Sequence, residues 1–317
     1  MFNANLKKLS QCPTRLEAGH RLCPGCGISV IMRQIMSVTD NPLVISNATG
    51  CFEICTGAYP YTAWNVPWIH SLFGNAASVI AGVEAMHKSL EKQGKLSGDQ
   101  KKTLFMAVGG DGGTYDIGLQ ALSGAAERGH KFVYVCFDNE GYMNTGYQRS
   151  GATPYGAFTT TSQVGEAHTG KEQFRKDLTM IMAAHNIPYV AQSSPSNHFD
   201  LMKKADKAFK ADGPAFINCL SVCPTSWKTD TQTGLKITQT AVDTCFWPLY
   251  EVENGVFKIT YMPKEKLPII AWLENQGRFK HLLKPENQHI IDALQKEVDT
   301  RWQKLIKLEE ATAEDDK

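Results

Sequence analysis

Thr103-Leu104-Phe105-Met106-Ala107-Val108-Gly109-Gly110-Asp111-Gly112-Gly113 is the stretch that decides the fold. Its first six residues show no polar alternation, which predicts a strand buried on both faces and so a parallel sheet. Glycines directly after such a strand let the backbone approach a ligand closely. The helix expected next offers unpaired N–H groups to an anion. In open α/β sheets ligands bind beyond the carboxyl ends of strands, and Asp111 falls there.

Outward from this stretch, β-branched or apolar runs bounded by Gly, Pro or Asn occur at 43–46, 131–137, 187–191 and 215–222. Helical patterns lie between them at 28–38, 76–93, 117–128, 172–185 and 198–210. Strand and helix alternating in this way predict an α/β protein, a mostly parallel sheet with helices on both faces. Residues 94–99 read as a surface loop, and no internal repeat is visible. We place this domain over residues 1–228. After Trp227 the pattern changes: 229–244 is polar and Thr-rich, a helix is expected over 287–308, and the acidic tail 309–317 is expected to fray. Residues 229–317 read as a C-terminal extension that wraps this subunit or contacts a neighbour.

Bulk composition bounds the partners. The 317 residues, 42% hydrophobic, can bury a sizeable core, and a net charge of +1 carries no field for nucleic acid or an anionic membrane. Met1-Phe2-Asn3-Ala4-Asn5-Leu6-Lys7-Lys8 does not read as a secretory signal, and no apolar run reaches the roughly 20 residues of a membrane helix. Nine cysteines in such a chain argue for reduced thiols and metal binding, and a cytoplasmic location is expected.

A second strand end repeats the logic of the first. The run Phe132-Val133-Tyr134-Val135-Cys136-Phe137 ends at Asp138-Asn139-Glu140-Gly141, so Asn139 also lies at a carboxyl rim. A carboxylate and an amide oxygen converging there suit Mg²⁺ or Ca²⁺ on a pyrophosphate. The stretch is neither G-x-G-x-x-G nor a P-loop. Gly110-Asp111-Gly112, with Asn139 placed 28 residues after Asp111, is similar to the thiamine diphosphate motif. The competing reading is a glycine-rich turn whose Asp111 caps the next helix. Asp116 and Asp138 read as structural.

Cys23-Pro24-Gly25-Cys26 points two sulfurs the same way on a tight turn, and Cys51 follows Thr49-Gly50. The pair could be half a zinc site, a redox couple or half a cluster site. Zinc ribbons usually pair two C-x-x-C units, and only Cys51-x-x-x-Cys55 is available. A [4Fe–4S] cluster needs four thiolates; beyond Cys23, Cys26 and Cys51 the fourth is open among Cys55, Cys219, Cys223 and Cys245. Cys223 has the best context, after a strand and before Pro224. Cys136 reads as a small core residue and Cys12 as a loop residue.

The segments His20–Gly27, Asn47–Cys51, Pro67–His70, Gly109–Gly118, Asp138–Gly146 and Cys223–Trp227 together resemble the β subunit of pyruvate:ferredoxin oxidoreductases, in order, over most of residues 15–280. The resemblance implies a thiamine diphosphate-binding fold of the pyrophosphate type. It implies that Cys23, Cys26, Cys51 and Cys223 hold a [4Fe–4S] cluster, and that Asp111, Asn139 and the Gly141 carbonyl hold Mg²⁺. It further implies Asn144 at the thiazolium and substrate, with Gly50, Cys51, Gly110 and Gly112 against the cofactor. Two positions depart from the family's pattern: Ser226 stands where glycine is usual, and Ser221-Val222 precedes Cys223 where proline is commoner.

The implied activity is oxidative decarboxylation of pyruvate or a related 2-oxo acid such as oxalate. Coenzyme A captures the acyl group, and electrons leave through the cluster to ferredoxin. The thiamine-activating glutamate is not evident: Glu53 and Glu84 fit by type, but a salt bridge or helix surface explains each more simply. The C-x-x-C-x-x-C-x-x-x-C-P run of a ferredoxin module is also missing. Both gaps point to partners: a pyrimidine-side thiamine-domain subunit and a ferredoxin-like cluster subunit. Two rival classes stay open, a zinc-stabilised phosphate- or nucleotide-binding scaffold and a non-oxidative thiamine decarboxylase subunit. His70 reads as a cofactor contact or as a histidine bonded to backbone, Arg149 as a contact for a phosphate or carboxylate or, more simply, a solvated loop residue, and 151–162 as a loop over the site or against a partner.

Overall fold

The computed structural model describes residue 9 and residues 11–314. One eight-stranded sheet organises them: β1 (Leu43–Asn47), β2 (Trp68–His70), β3 (Leu104–Gly110), β4 (Val133–Asp138), β5 (Tyr189–Ser193), β6 (Ala215–Leu220), β7 (Tyr250–Glu253) and β8 (Val256–Ile259). Their order across the sheet is β2-β1-β3-β4-β6-β5-β7-β8. The first six pair in parallel, while β7 and β8 join antiparallel. Every side chain of β4, β5 and β6 is buried, so these sequences show no apolar–polar alternation, and their few polar residues, Asp138, Gln192, Ser193 and Asn218, are buried with the rest.

Two cores flank the sheet. On one face Val133, Val135 and Phe137 pack with Ile31, Met32 and Ile35 of α1 (Gly27–Met36). On the other, Tyr134 and Cys136 join Ile80 and Leu122 from α2 (Ala76–Lys92) and α3 (Leu119–Glu127). Cys136 is the small core residue its alternation indicates. Apolar spacing of three and four in α1 is what buries its single face.

Several expectations needed revision. The helix expected from Ile117 starts at Leu119, because Gly112–Asp116 winds as a π-type turn first. The pattern at 172–185 forms a helix only over Leu178–Ala183, capped by the Asp177 side chain. Just before it, Arg175 turns inward to Asp138, while the exposed Lys176 pairs with Asp116. The unassigned Thr-rich stretch contains a helix, Gly234–Asp243. The β7–β8 hairpin turns on Asn254-Gly255, both at positive φ. The last helix, Gln288–Glu314, continues through most of the acidic stretch expected to fray; residues 315–317, like 1–8, lie outside the described residues. Residues after 229 contribute buried side chains such as Trp272, Phe279 and Leu294 to the same core as Tyr134.

Candidate active site

Four loops leave the carboxyl ends of β1, β3, β4 and β6, which are consecutive neighbours in the sheet. Those after β1, β3 and β4 line a cleft of about 110 Å³ whose walls include Asn47, Gly50, Cys51, Gly110, Gly112, Asn139, Gly141 and Asn144. Close packing makes the glycines necessary. A Cβ on Gly112 would sit 2.6 Å from the Tyr142 ring, and one on Gly109 would lie 2.7 Å from the Tyr134 hydroxyl. Gly110 and Gly50 have nothing within 4 Å on that side, so their backbones face open space.

Asp111 is fully buried behind Gly110. Ser150 Oγ donates to its Oδ2 at 2.5 Å, and the Asn139 backbone N–H donates to its Oδ1 at 3.2 Å. Burial pushes this carboxyl well above the usual range, and nearby Asp138 pushes it further, against Ser150 and the backbone. One terminal atom of the Asn139 amide lies 2.8 Å from Asp111 Oδ1 and 3.0 Å from the Gly141 carbonyl. With nitrogen there the amide donates to both oxygens. With oxygen there, three oxygens converge as a donor set for a hard divalent cation. Asp111, Asn139 and Gly141 are thus brought together, and a buried carboxylate in need of positive charge fits such an ion. Asn47 Nδ2, on the cleft wall, is a buried donor with no partner.

The thiols gather beside this cleft. The Cys26 N–H bonds the Cys23 carbonyl at 3.1 Å to close the turn, and Gly27 N–H reaches Val222 O at 3.2 Å, tying the turn to the Cys223 loop. Gly25 takes φ +75° with the Thr231 carbonyl against it, so no other residue fits. Burial pushes the Cys26 thiol up to about 12 despite the Ile28 N–H, and Cys223, Cys51 and Cys23 add to the rise. Burial together with Cys223 and Cys55 lifts Cys51 to about 11, opposed by a hydrogen bond from Asn144. Cys223 is raised by burial and by Cys23, and eased by the Ser226 and Thr225 N–H groups. Cys26, Cys51 and Cys223 each lie in the field of Cys23 and of one another, and these three would be thiolates only with positive charge beside them. N–H groups aimed at sulfur are the donors that iron–sulfur ligands use. Among the described residues no three Cys, His, Asp or Glu side chains are arranged around a single ion. In a cluster each thiolate binds a different iron, so the sulfurs surround the centre more widely. No disulfide joins any of these cysteines.

The remaining candidates sort clearly. His70 Nδ1 bonds the Asn47 carbonyl at 3.0 Å, the backbone-bonded alternative, and its Nε2 lies 3.9 Å from Glu53. Glu84 is far from the cleft and held by Lys88, His130 and the Lys131 N–H. Cys219 and Cys245 are buried in the cores, and Cys55 lies in the field of Cys23 and Cys51. Arg149 is exposed. The loop at 151–162 packs within the chain: Thr153 Oγ1 donates to Glu140 O, and Gly156 N–H to Lys171 O. Missed in sequence was a buried ionic layer under the loop 138–141, in which Arg175 pairs with Asp138 and Glu140, and Arg278 with Glu140. Trp227 was also missed; its Nε1–H donates to the Asn139 carbonyl at 2.9 Å.

Comparison with known proteins fits this geometry. Residues 48–219 match the thiamine pyrophosphate enzyme C-terminal TPP-binding domain, a span that begins just after β1 and carries β2 through β5 and all but the last residue of β6. The chain is also 48% identical to pyruvate synthase subunit PorB of Thermotoga maritima, over 97% of both chains. This chain belongs to the β-subunit family of 2-oxoacid:ferredoxin oxidoreductases. The β subunit is 43% identical to ketoisovalerate oxidoreductase subunit VorB of Pyrococcus horikoshii, over 92% of this chain and 93% of that one. Its fold is shared with 2-oxoglutarate:ferredoxin oxidoreductase from Magnetococcus marinus, with a TM-score of 0.53 and 20% identity over 71% of this chain and 79% of that one. No helix among the described residues is long and apolar enough to cross a membrane.

Proposed function

We propose that this subunit is the thiamine diphosphate-, Mg²⁺- and [4Fe–4S]-carrying part of a cytoplasmic enzyme that oxidatively decarboxylates pyruvate. The acyl group passes to coenzyme A and the electrons to ferredoxin. One observation carries the reading: Cys51 lines the cleft beside Gly50 and Asn144, while its sulfur shares the field of Cys23 and Cys223. A phosphate-and-cation cleft and a thiol cluster therefore share a wall.

Thiamine diphosphate bound there supplies a nucleophilic carbon and an electron sink for a 2-oxo acid, and the cluster takes electrons one at a time. Asp111, Asn139 and the Gly141 carbonyl would hold Mg²⁺, with Gly110 and Gly112 leaving room for the diphosphate. The Asn144 amide, already bonded to the Cys51 sulfur, would orient the reacting end of the cofactor. Cys23, Cys26, Cys51 and Cys223 would ligate the cluster. Glu53 keeps one buried carboxylate oxygen without a partner but lies toward His70, so the activating glutamate is assigned to a pyrimidine-side subunit. Onward electron transfer is assigned to a ferredoxin-like cluster subunit and then to external ferredoxin.

The test is anaerobic purification of the assembled complex, with iron, sulfide and thiamine diphosphate measured. Coenzyme A-dependent ferredoxin reduction is then assayed with pyruvate, oxalate, branched-chain 2-oxo acids and 2-oxoglutarate. Brown, iron-loaded enzyme most active on pyruvate is expected, and the chain alone is expected to be inactive. Colourless zinc-loaded protein would replace this reading with a scaffold, and thiamine without iron would replace it with a non-oxidative decarboxylase.

A further inference from the structure

Glu140 sits between two of the cation donors, Asn139 and Gly141, in a left-handed conformation with φ +68°. Such a φ is costly for any residue with a side chain, and it persists only where surroundings over-determine it. The surroundings here are unusual for a carboxylate. Glu140 is 1% exposed; Arg175 Nη1 donates to its Oε1 at 2.9 Å and Arg278 Nη2 to its Oε2 at 2.5 Å. Its carbonyl accepts from Thr153 Oγ1 at 2.7 Å. A glycine would take this φ without strain, so the glutamate is kept there by its carboxylate contacts.

Arg278 does more than neutralise. Its guanidinium lies 4.0 Å from the centre of the Trp227 ring, and Trp227 Nε1–H holds the Asn139 carbonyl at 2.9 Å. Trp227 closes the short helix that begins just after Cys223. One buried arginine from the C-terminal segment therefore touches both the turn that aims the cation donors and the loop that carries a thiol.

We propose that Arg278 is a positioning residue: with Arg175 it clamps Glu140 in the left-handed turn that aims the Asn139 amide and Gly141 carbonyl at the cation, and through Trp227 it fixes that turn to the Cys223 loop. The proposal rests on the cation role assigned above to Asp111, Asn139 and Gly141.

The experiment titrates Mn²⁺, as a spin probe for Mg²⁺, into the assembled enzyme stripped of divalent ions, with thiamine diphosphate present. Free Mn²⁺ is read by EPR. Arg278→Met weakens Mn²⁺ binding roughly tenfold or more, the equivalent of a hydrogen bond to a charged group. Arg278→Met with Glu140→Gly recovers most of that loss, since glycine adopts the turn unaided. Arg278→Met with Glu140→Gln does not, because it removes the orphaned charge but keeps the strain. Equal rescue by both second substitutions would show that Arg278 merely neutralises a buried carboxylate, and would overturn the proposal. So would wild-type affinity in Arg278→Met. If that variant fails to fold, Trp227→Phe decides instead: it keeps an aromatic face for Arg278 but loses the N–H and the pyrrole half of the indole, and is expected to weaken Mn²⁺ severalfold while the lost packing lowers the melting temperature by about a few degrees. Wild-type affinity there is the contrary result. Failure of the unmutated enzyme to bind Mn²⁺ with thiamine diphosphate would refute the cation site itself.

Discussion

Replacing Arg175 by methionine tests the stability side of the same ionic layer. Arg175 is nearly buried and donates to Asp138, to Glu140 Oε1 and to the Tyr115 hydroxyl at 3.0 Å, with its guanidinium 4.8 Å from the Trp247 ring centre. Methionine keeps most of the stem and the contact with Trp247. It leaves Asp138 with the Tyr115 hydroxyl at 2.5 Å on one oxygen and no partner on the other. Removing one partner of a buried pair costs about 3–5 kcal/mol, because the other charge stays buried. At about 2.1 cal/mol/K per residue, a chain of 317 residues loses roughly 5–8 °C in Tm for that change. Differential scanning calorimetry of the assembled enzyme reads the shift. Adding Asp138→Asn removes the orphaned charge while its carbonyl still accepts from Tyr115, so the double variant should regain more than half of the loss. A single variant melting within a degree of wild type would refute the reasoning. A double variant no better than the single would show that packing, and not charge, sets the cost.

Other outcomes follow from the site and the core. Cys223→Ser should lose most of the iron, sulfide and cluster EPR signal of the complex, whereas Cys55→Ser should keep them; the reverse pattern would exchange their roles. Asp111→Asn should weaken Mg²⁺-dependent thiamine diphosphate binding by roughly 100-fold or more, read by equilibrium dialysis, with the cluster signal retained. Burial pushes the Lys171 ammonium down to about 8, with Arg149 and Arg175 adding to the shift, against about 10.4 in an unfolded chain. The folded state then binds fewer protons, so stability is gained as pH rises from about 8 toward 10, by up to roughly 3 kcal/mol. Wild type should gain on Lys171→Met in urea midpoints over that range, and parallel curves would contradict it.

The parallel core was legible because Thr103–Val108 and Phe132–Phe137 carry no polar alternation, and only strands buried on both faces read that way. The rim residues were legible for a related reason: Asp111 and Asn139 follow those runs directly. The Asn254-Gly255 hairpin carried a usable turn signal that the shortness of its strands hid. Arg175 and Arg278 carried none. A buried arginine announces itself only through its acceptors, and Arg278 meets Glu140 across 138 residues of chain. Arg175 also misled locally, since its pattern extends a helix that its side chain leaves in order to reach Asp138. Trp227 gave no sign of its contact with the Asn139 carbonyl, because a tryptophan's hydrogen bond is invisible to spacing.

The site itself depends on strand order, which periodicity does not specify. Cys51 follows β1, Asp111 follows β3, Asn139 follows β4 and Cys223 follows β6, and these are adjacent in the sheet with no strand between them. In sequence order β5 would separate β4 from β6 and carry the Cys223 loop a full strand away from the Asn139 loop. Because β6 instead pairs with β4, with Asp138 opposite Leu220, the two loops emerge side by side and Trp227 can reach the Asn139 carbonyl. β5 is displaced outward, where it pairs with β7 and brings the C-terminal segment under the same rim. In that segment Gly277 N–H bonds the Lys228 carbonyl at 3.3 Å, which seats Arg278 beside Trp227 and within reach of Glu140. The soft and hard donor sets are thus neighbours through one inversion in the order of two strands.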